Sequence, residues 1–274
     1  MYGKLLHACH VVPAGRSYLT SLEVFLGQFH NHPFHLHSPP RRTASDLQWW
    51  KTKLGQPTLA RPIPSPTPII DARAYSDASS ETGIRITIRD KWRAWQLLLG
   101  WKADGRDIGW AEAIGFLLLV LTLFPSAPRG SHIKVFGDNR GVVKGWWKGR
   151  SQNKPTNDVF RDVHALTEEE GIFFHTRYVP SKENPADNPS RGVYDHQSCL
   201  LPAILIPLSI RQYLCDFDAP LTPSESQLVW EVKAPSPLPR PDHTSLHQER
   251  ANFNDELECH ARAVFSRMQG WDDS

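Results

Sequence analysis

The sequence predicts an α/β protein: a mixed, five-stranded sheet with helices on its faces, preceded by a short helical segment and followed by a Pro-rich extension. Three observations lead there. Residues 69–179 read as strands and helices in the order β-β-β-α-β-α-α-β. One of those helices, Gly109 to Phe124, is apolar almost all round, as a buried helix is. Acidic residues end two of the strands, Asp77 after Ala74-Tyr75-Ser76 and Asp138 after Val135-Phe136-Gly137, where open α/β sheets place their chemistry.

The front, residues 1–27, has helical spacing broken at Val12-Pro13-Ala14-Gly15. His30, His32, His35 and His37 lie among prolines with no Cys or acidic partner close by, which favours a solvated or nucleic-acid-facing loop over a zinc site. Ser45 is placed to cap a helix from Asp46 to Leu54 whose Leu47, Trp50 and Leu54 share a face. Prolines at 57, 62, 64, 66 and 68 then predict an extended linker and a boundary, so residues 1–66 form one segment and 67–199 the main domain.

Within that domain Ile69 to Ser79 is the first strand. Ile84, Ile86 and Ile88 alternate with Arg85, Thr87 and Arg89 in the second, which predicts a strand covering a core on one side only. Trp92 to Leu99 is the third. After the apolar helix come strand His132–Phe136, helices Asn139–Lys148 and Asn157–Glu170, and strand Ile172–Val179. Residues 200–243 are Pro-rich and read as a tether with hydrophobic patches able to dock on the domain. Residues 244–274 carry Leu246, Phe253, Leu257, Ala261, Val264 and Met268 on one stripe of an amphipathic helix.

The chain has 274 residues, 40% of them hydrophobic, enough for a sizeable core. Its net charge of +2 hides an asymmetry: seven Lys/Arg against two Asp/Glu in residues 1–66, 18 against 16 in 67–199, and six against 11 in 200–274. A basic front suits nucleic acid or a merely solvated surface. Cys9, Cys199, Cys215 and Cys259 form no C-x-x-C pair, which favours a reducing compartment. The apolar run Ala111–Phe124 is shorter than the roughly 20 residues needed to cross a bilayer. The expectation is an intracellular protein, cytoplasmic or nuclear, neither secreted nor bound to a membrane.

Four carboxylates on four elements are candidates to converge on one metal site: Asp77, Glu112, Asp138 and Asp187. Each also has an ordinary reading. Glu112 suits the first turn of a helix, Asp138 a helix N-cap and Asp187 a turn, while a lone buried Asp77 would be costly. Asp71, Asp104 and Asp107 read as surface groups. Lys144 to Lys154 offers four cations and two indoles for phosphate contact and base stacking, or a wet face with one indole closing the core.

Taken together, Ser76-Asp77-Ala78-Ser79, Ala111-Glu112-Ala113, Gly137-Asp138-Asn139 and Val179-Pro180-Ser181-Lys182-Glu183-Asn184-Pro185-Ala186-Asp187-Asn188-Pro189-Ser190-Arg191 resemble the RNase H domain of retrotransposon reverse transcriptases. The last run is similar to the P-G-K-x-N-x-x-A-D-x-L-S-R signature that closes that domain, with Ser181 and Pro189 as departures. The front, Gly3-Lys4-Leu5-Leu6-His7 with Val11-Val12-Pro13-Ala14-Gly15-Arg16 and Asp46-Leu47-Gln48-Trp49-Trp50, is similar to the thumb and connection of tyrosine-recombinase (DIRS-like) elements. No Tyr-x-Asp-Asp polymerase motif occurs in the chain, so DNA synthesis is not expected of it alone.

The resemblance implies a metal-dependent endonuclease that hydrolyses the RNA strand of RNA–DNA hybrids, using two Mg²⁺, with Mn²⁺ as a substitute, and no small-molecule cofactor. It assigns Asp77 as the bridging ligand, Glu112 and Asp138 to the metal on the leaving-group side, and Asp187 to the metal that activates water. Ser79, Asn139, Lys144, Trp147, Lys148, Arg150, Lys182, Asn184 and Arg191 are expected to contact the hybrid. The polymerase palm and fingers are an expected partner. Two alternatives stand beside this reading: a catalytically silent nucleic-acid-binding module, and a DNA exonuclease of related architecture. The loop histidine common before the last carboxylate in such enzymes does not occur between Pro180 and Asp187; His175, within a strand, reads as packed or cross-strand bonded.

Overall fold

Alternating apolar residues dictate the first half of the sheet. Ile84 and Ile86 turn one face of a strand toward the core, and Gly83 makes the preceding turn with φ +137°, a conformation that favours glycine. The computed structural model describes residues 1–30, 33–57, 59, 68–187 and 199–218. Its strands are β1 (Ile69–Ser79), β2 (Gly83–Ile88), β3 (Lys91–Leu97), β4 (His132–Gly137), β5 (Phe173–Tyr178) and β6 (Leu214–Asp216). They form one mixed sheet in the order β5-β4-β1-β2-β3-β6. The β1–β4 and β4–β5 pairs are parallel; the other three are antiparallel.

The sheet has six strands, not five. Leu214–Asp216 lies in the segment read as a tether, yet it pairs with β3, and Leu201, Ile206, Ile210 and Leu214 are buried in the main core. Arg93 of β3 fastens this segment: its guanidinium donates to the Leu201 carbonyl at 2.8 Å and to Asp216 at 2.9 Å. The prolines at 202 and 207 stand outside any strand and leave the ladder intact.

β2 also departs from expectation. Arg85 and Thr87, which alternate with the isoleucines, are buried as well. Arg85 lies over the Trp92 ring, 4.5 Å from its centroid, and Trp92 is in turn covered by Phe217 and bridged by Leu200. The returning segment thus covers a face that period-two patterning leaves to solvent.

The helices are α1 (Tyr2–Ala8), α2 (Thr20–Gly27), α3 (Arg42–Leu54), α4 (Ile108–Leu123), α5 (Arg140–Lys148) and α6 (Lys154–Glu168). α4 begins at Asp107, whose carboxylate accepts the Trp110 N–H at 3.0 Å. Asp107 is exposed, as expected of a surface group, and is also the N-cap. α6 begins three residues earlier than expected because Asn153 caps it and Pro155 suits its first turn. α3 likewise starts at Arg42, which puts Ser45 inside the helix, bonded to the Arg42 carbonyl instead of capping. Ile108–Ser126 is, among the described residues, the stretch long and apolar enough to cross a membrane; it lies mostly buried, against the sheet and α6.

The basic front meets α6. Arg42 pairs with Asp158, Lys53 with Glu168 at 2.7 Å, and buried Asp46 with Arg161 at 3.0 Å. Asn157 and Arg161 both donate to the Ser17 carbonyl. Trp50, Leu19, Leu22 and Leu5 make a second small core beneath this contact. Two of the front's seven cations, Arg42 and Lys53, are thus matched to acids of α6. Most of the Pro-rich linker, Arg191 and residues 219–274 with the expected amphipathic helix lie outside the described residues.

Candidate metal centre

Parallel pairing sets the site. Ser76 of β1 is the register partner of Gly137 of β4, so the next residues, Asp77 and Asp138, emerge side by side at the same end of the two strands. Small residues bring the third group in. Gly115 of α4 faces β1 so closely that a Cβ there would lie 3.2 Å from Ile84 Cγ2 and 3.4 Å from Ser76 Cβ. Glu112, three residues earlier on the same face of α4, is thereby carried to the strand ends. Ligand oxygens of Asp77, Glu112 and Asp138 all lie within 4.8 Å of one another.

The electrostatics of this cluster could accommodate a cation. Asp77 and Glu112 are buried. Burial, then the charges of Asp77 and Asp138, push the Glu112 carboxyl well above the usual carboxylate range, against a hydrogen bond from the Ala78 N–H. Asp138 does not cap α5; its neighbour Asn139 does, accepting the Val142 N–H at 3.1 Å. That leaves Asp138 to the cluster. Its Oδ2 accepts the Ser181 hydroxyl at 2.7 Å, while its Oδ1 is buried with no hydrogen-bond partner. A buried, unpartnered carboxylate oxygen among two further carboxylates is costly without a counter-charge. An all-oxygen donor set of this kind fits a hard divalent cation such as Mg²⁺ or Mn²⁺.

Asp187 stands outside this group of three. It follows the loop after β5, where Asn184 is buried, donates to the Ser76 carbonyl at 3.2 Å and accepts the Ala186 N–H at 3.1 Å. Asn184 is therefore a brace holding the Asp187 loop against β1, not a surface contact for nucleic acid. Burial decides this: both ends of its amide are used inside the protein.

The remaining expected contacts divide. Lys144, Lys148 and Lys182 are exposed, and Ser79 and Asn139 are half-buried. Trp146 packs against Phe116 and Phe160, whereas Trp147 is 52% exposed. Arg150 is ion-paired with Glu23 of α2, so it serves the contact with the front. His175 is cross-strand bonded, its Nε2 2.9 Å from His132 Nδ1. Ser181 and Gly115 were not singled out by sequence as site residues. A glycine inside an apolar helix was the available signal for one, and the departure from the loop signature for the other.

Comparison with family models, with curated proteins and with solved structures found no match for this chain.

Proposed function

We propose that this chain is a metal-dependent endonuclease of the RNase H-like class, hydrolysing the RNA strand of RNA–DNA hybrids as part of a retroelement reverse transcriptase. The observation that carries the reading is the convergence of Asp77, Glu112 and Asp138, with Asp138 Oδ1 buried and unpartnered. The ordered motifs over residues 76–191 support it.

Asp77, Glu112 and Asp138 would hold the divalent cations, Asp77 as the ligand shared between them and Glu112 and Asp138 toward the leaving group. Asp187, on the loop braced by Asn184, is the fourth carboxylate. The chemistry that divalent cations held by these residues would supply is a nucleophilic water at neutral pH and neutralised charge on the leaving oxygen. The protein's own contribution is positional: Ser181 orients Asp138, Gly115 admits Glu112, and the paired strand ends fix Asp77. Lys144, Lys148 and Lys182 provide exposed positive charge for phosphates near these carboxylates.

A second reading, a silent nucleic-acid-binding module, is favoured by the position of Asp187 outside the group of three. One experiment separates them. The full chain is incubated with a hybrid labelled on its RNA strand, with Mg²⁺ and with chelator, beside Asp77→Asn. Metal-dependent RNA cuts that vanish in the variant are expected. Binding of hybrid without cutting by the folded parent would move the assignment to the silent module.

A further inference from the structure

The sequence of α5, Arg140-Gly141-Val142-Val143-Lys144-Gly145-Trp146-Trp147-Lys148, and that of β5, Phe173-Phe174-His175-Thr176-Arg177-Tyr178, together hold four cations and no carboxylate. Arg140, Lys144, Trp147 and Lys148 fall at i, i+4, i+7 and i+8, so they share one helix face, and all four are exposed. β5 is the edge strand of the sheet. Its outward carbonyls are capped by indoles, Phe174 by Trp146 and Thr176 by Trp147, each at 2.8 Å. Those caps deny the edge to an added strand. They also fix Trp147 rigidly across it.

Two rings of this strip are open and each is stacked with a cation. Arg177 lies 5.0 Å from the Trp147 centroid and Arg140 lies 4.5 Å from that of Tyr178. Trp147 is 52% exposed and Tyr178 41%. The strip starts two residues from Asp138, at the metal centre.

We infer that this α5–β5 edge is a track for single-stranded nucleic acid running up to the metal centre. The location relative to the cut rests on the nuclease reading above; the binding itself does not. Exposed ring faces select the partner. Bases in a duplex hide their faces in the stack, whereas unpaired bases stack on Trp, Tyr and Arg planes while cations follow the phosphates. The track would hold a single-stranded overhang and draw cleavage toward hybrid ends that carry one.

The test uses the full chain in chelator, so that no metal chemistry is required. Anisotropy of a labelled oligothymidylate of about 12 nucleotides is compared for the parent, for Arg140→Glu/Arg177→Glu, and for Lys91→Glu/Lys102→Glu, a charge-matched control at two exposed lysines outside the strip. Charge reversal is expected to weaken binding at least about tenfold and to flatten its salt dependence, with the control close to the parent. A reversal variant that binds like the parent overturns the inference. So does a blunt hybrid that competes as well as the single strand. A parent that binds the oligonucleotide but never cuts hybrid keeps the inference and removes the nuclease reading; a parent that cuts hybrid but ignores the oligonucleotide does the reverse.

Discussion

The Ser181 hydroxyl donates to Asp138 Oδ2 at 2.7 Å and so aims the other oxygen of that carboxylate, buried and unpartnered, at Asp77 and Glu112. The loop after β5 thus acts on the acidic cluster through this hydroxyl. Ser181→Ala frees the Asp138 carboxylate to rotate. Removing an orienting partner of this kind is expected to raise the half-saturating Mg²⁺ concentration about tenfold. Metal titration of hybrid cleavage, with the circular dichroism spectrum as a fold control, checks this; an unchanged titration removes Ser181 from the site.

Glu112 stores electrostatic strain in the metal-free protein. Its carboxyl is held above the ordinary range by burial and by Asp77 and Asp138, so the folded chain holds that proton to a higher pH than the unfolded chain does. A raised folded-state value means stability is lost as pH rises, and a neutral isostere escapes that loss. Glu112→Gln is therefore expected to melt about 3 °C above the parent in chelator. Mg²⁺ should raise the parent's Tm and leave the variant's almost unmoved. Equal Mg²⁺ responses would show that the cation binds elsewhere.

Asp46 and Arg161 join the front to α6 through a buried pair. Deleting one partner strands the other charge away from water, at about 3–5 kcal/mol. Asp46→Ala and Arg161→Ala should each lower stability by that order, while Asp46→Leu combined with Arg161→Met should recover most of it. Urea denaturation of the three proteins decides; a double variant as unstable as the singles would locate the energy in the hydrogen bonds to Ser17 instead.

His164 of α6 is half-buried, its Nε2 enclosed without a hydrogen-bond partner and its ring stacked on Trp146. Burial lowers its pKa from 6.5 to about 4. The unfolded chain gains a proton near the upper value and the folded chain only near the lower, so the stability is complete above the upper value and lost as pH falls between them. The loss amounts to about 3 kcal/mol across that window. His164→Phe should flatten this acid limb, read as denaturation midpoints against pH; an identical limb would assign it to other groups.

Much of the sheet and one arm of the site were legible in the chain. Strand periodicity located β1, β2, β4 and β5 to within a few residues, and the acidic ends of β1 and β4 marked where the carboxylates gather. Helix starts were less legible at Asp107 and Asn153, since a cap is identified by the N–H it accepts, and that depends on where the helix begins. Arg150 and Asn184 were expected to contact nucleic acid, because the partners that occupy them, Glu23 and Ser76, are remote in sequence.

The α/β alternation, the buried character of α4 and the order of the acidic residues are carried by local periodicity and residue type along the chain. Long-range packing makes Leu214–Asp216 a sixth strand, pairs Arg42 and Lys53 of the front with acids of α6, and brings Asp77, Glu112 and Asp138 together with Asp187 outside that group. Those outcomes follow from strand register, from the close approach allowed at Gly115, and from burial of charge between distant segments. They are properties of packing, and no short window of sequence encodes them.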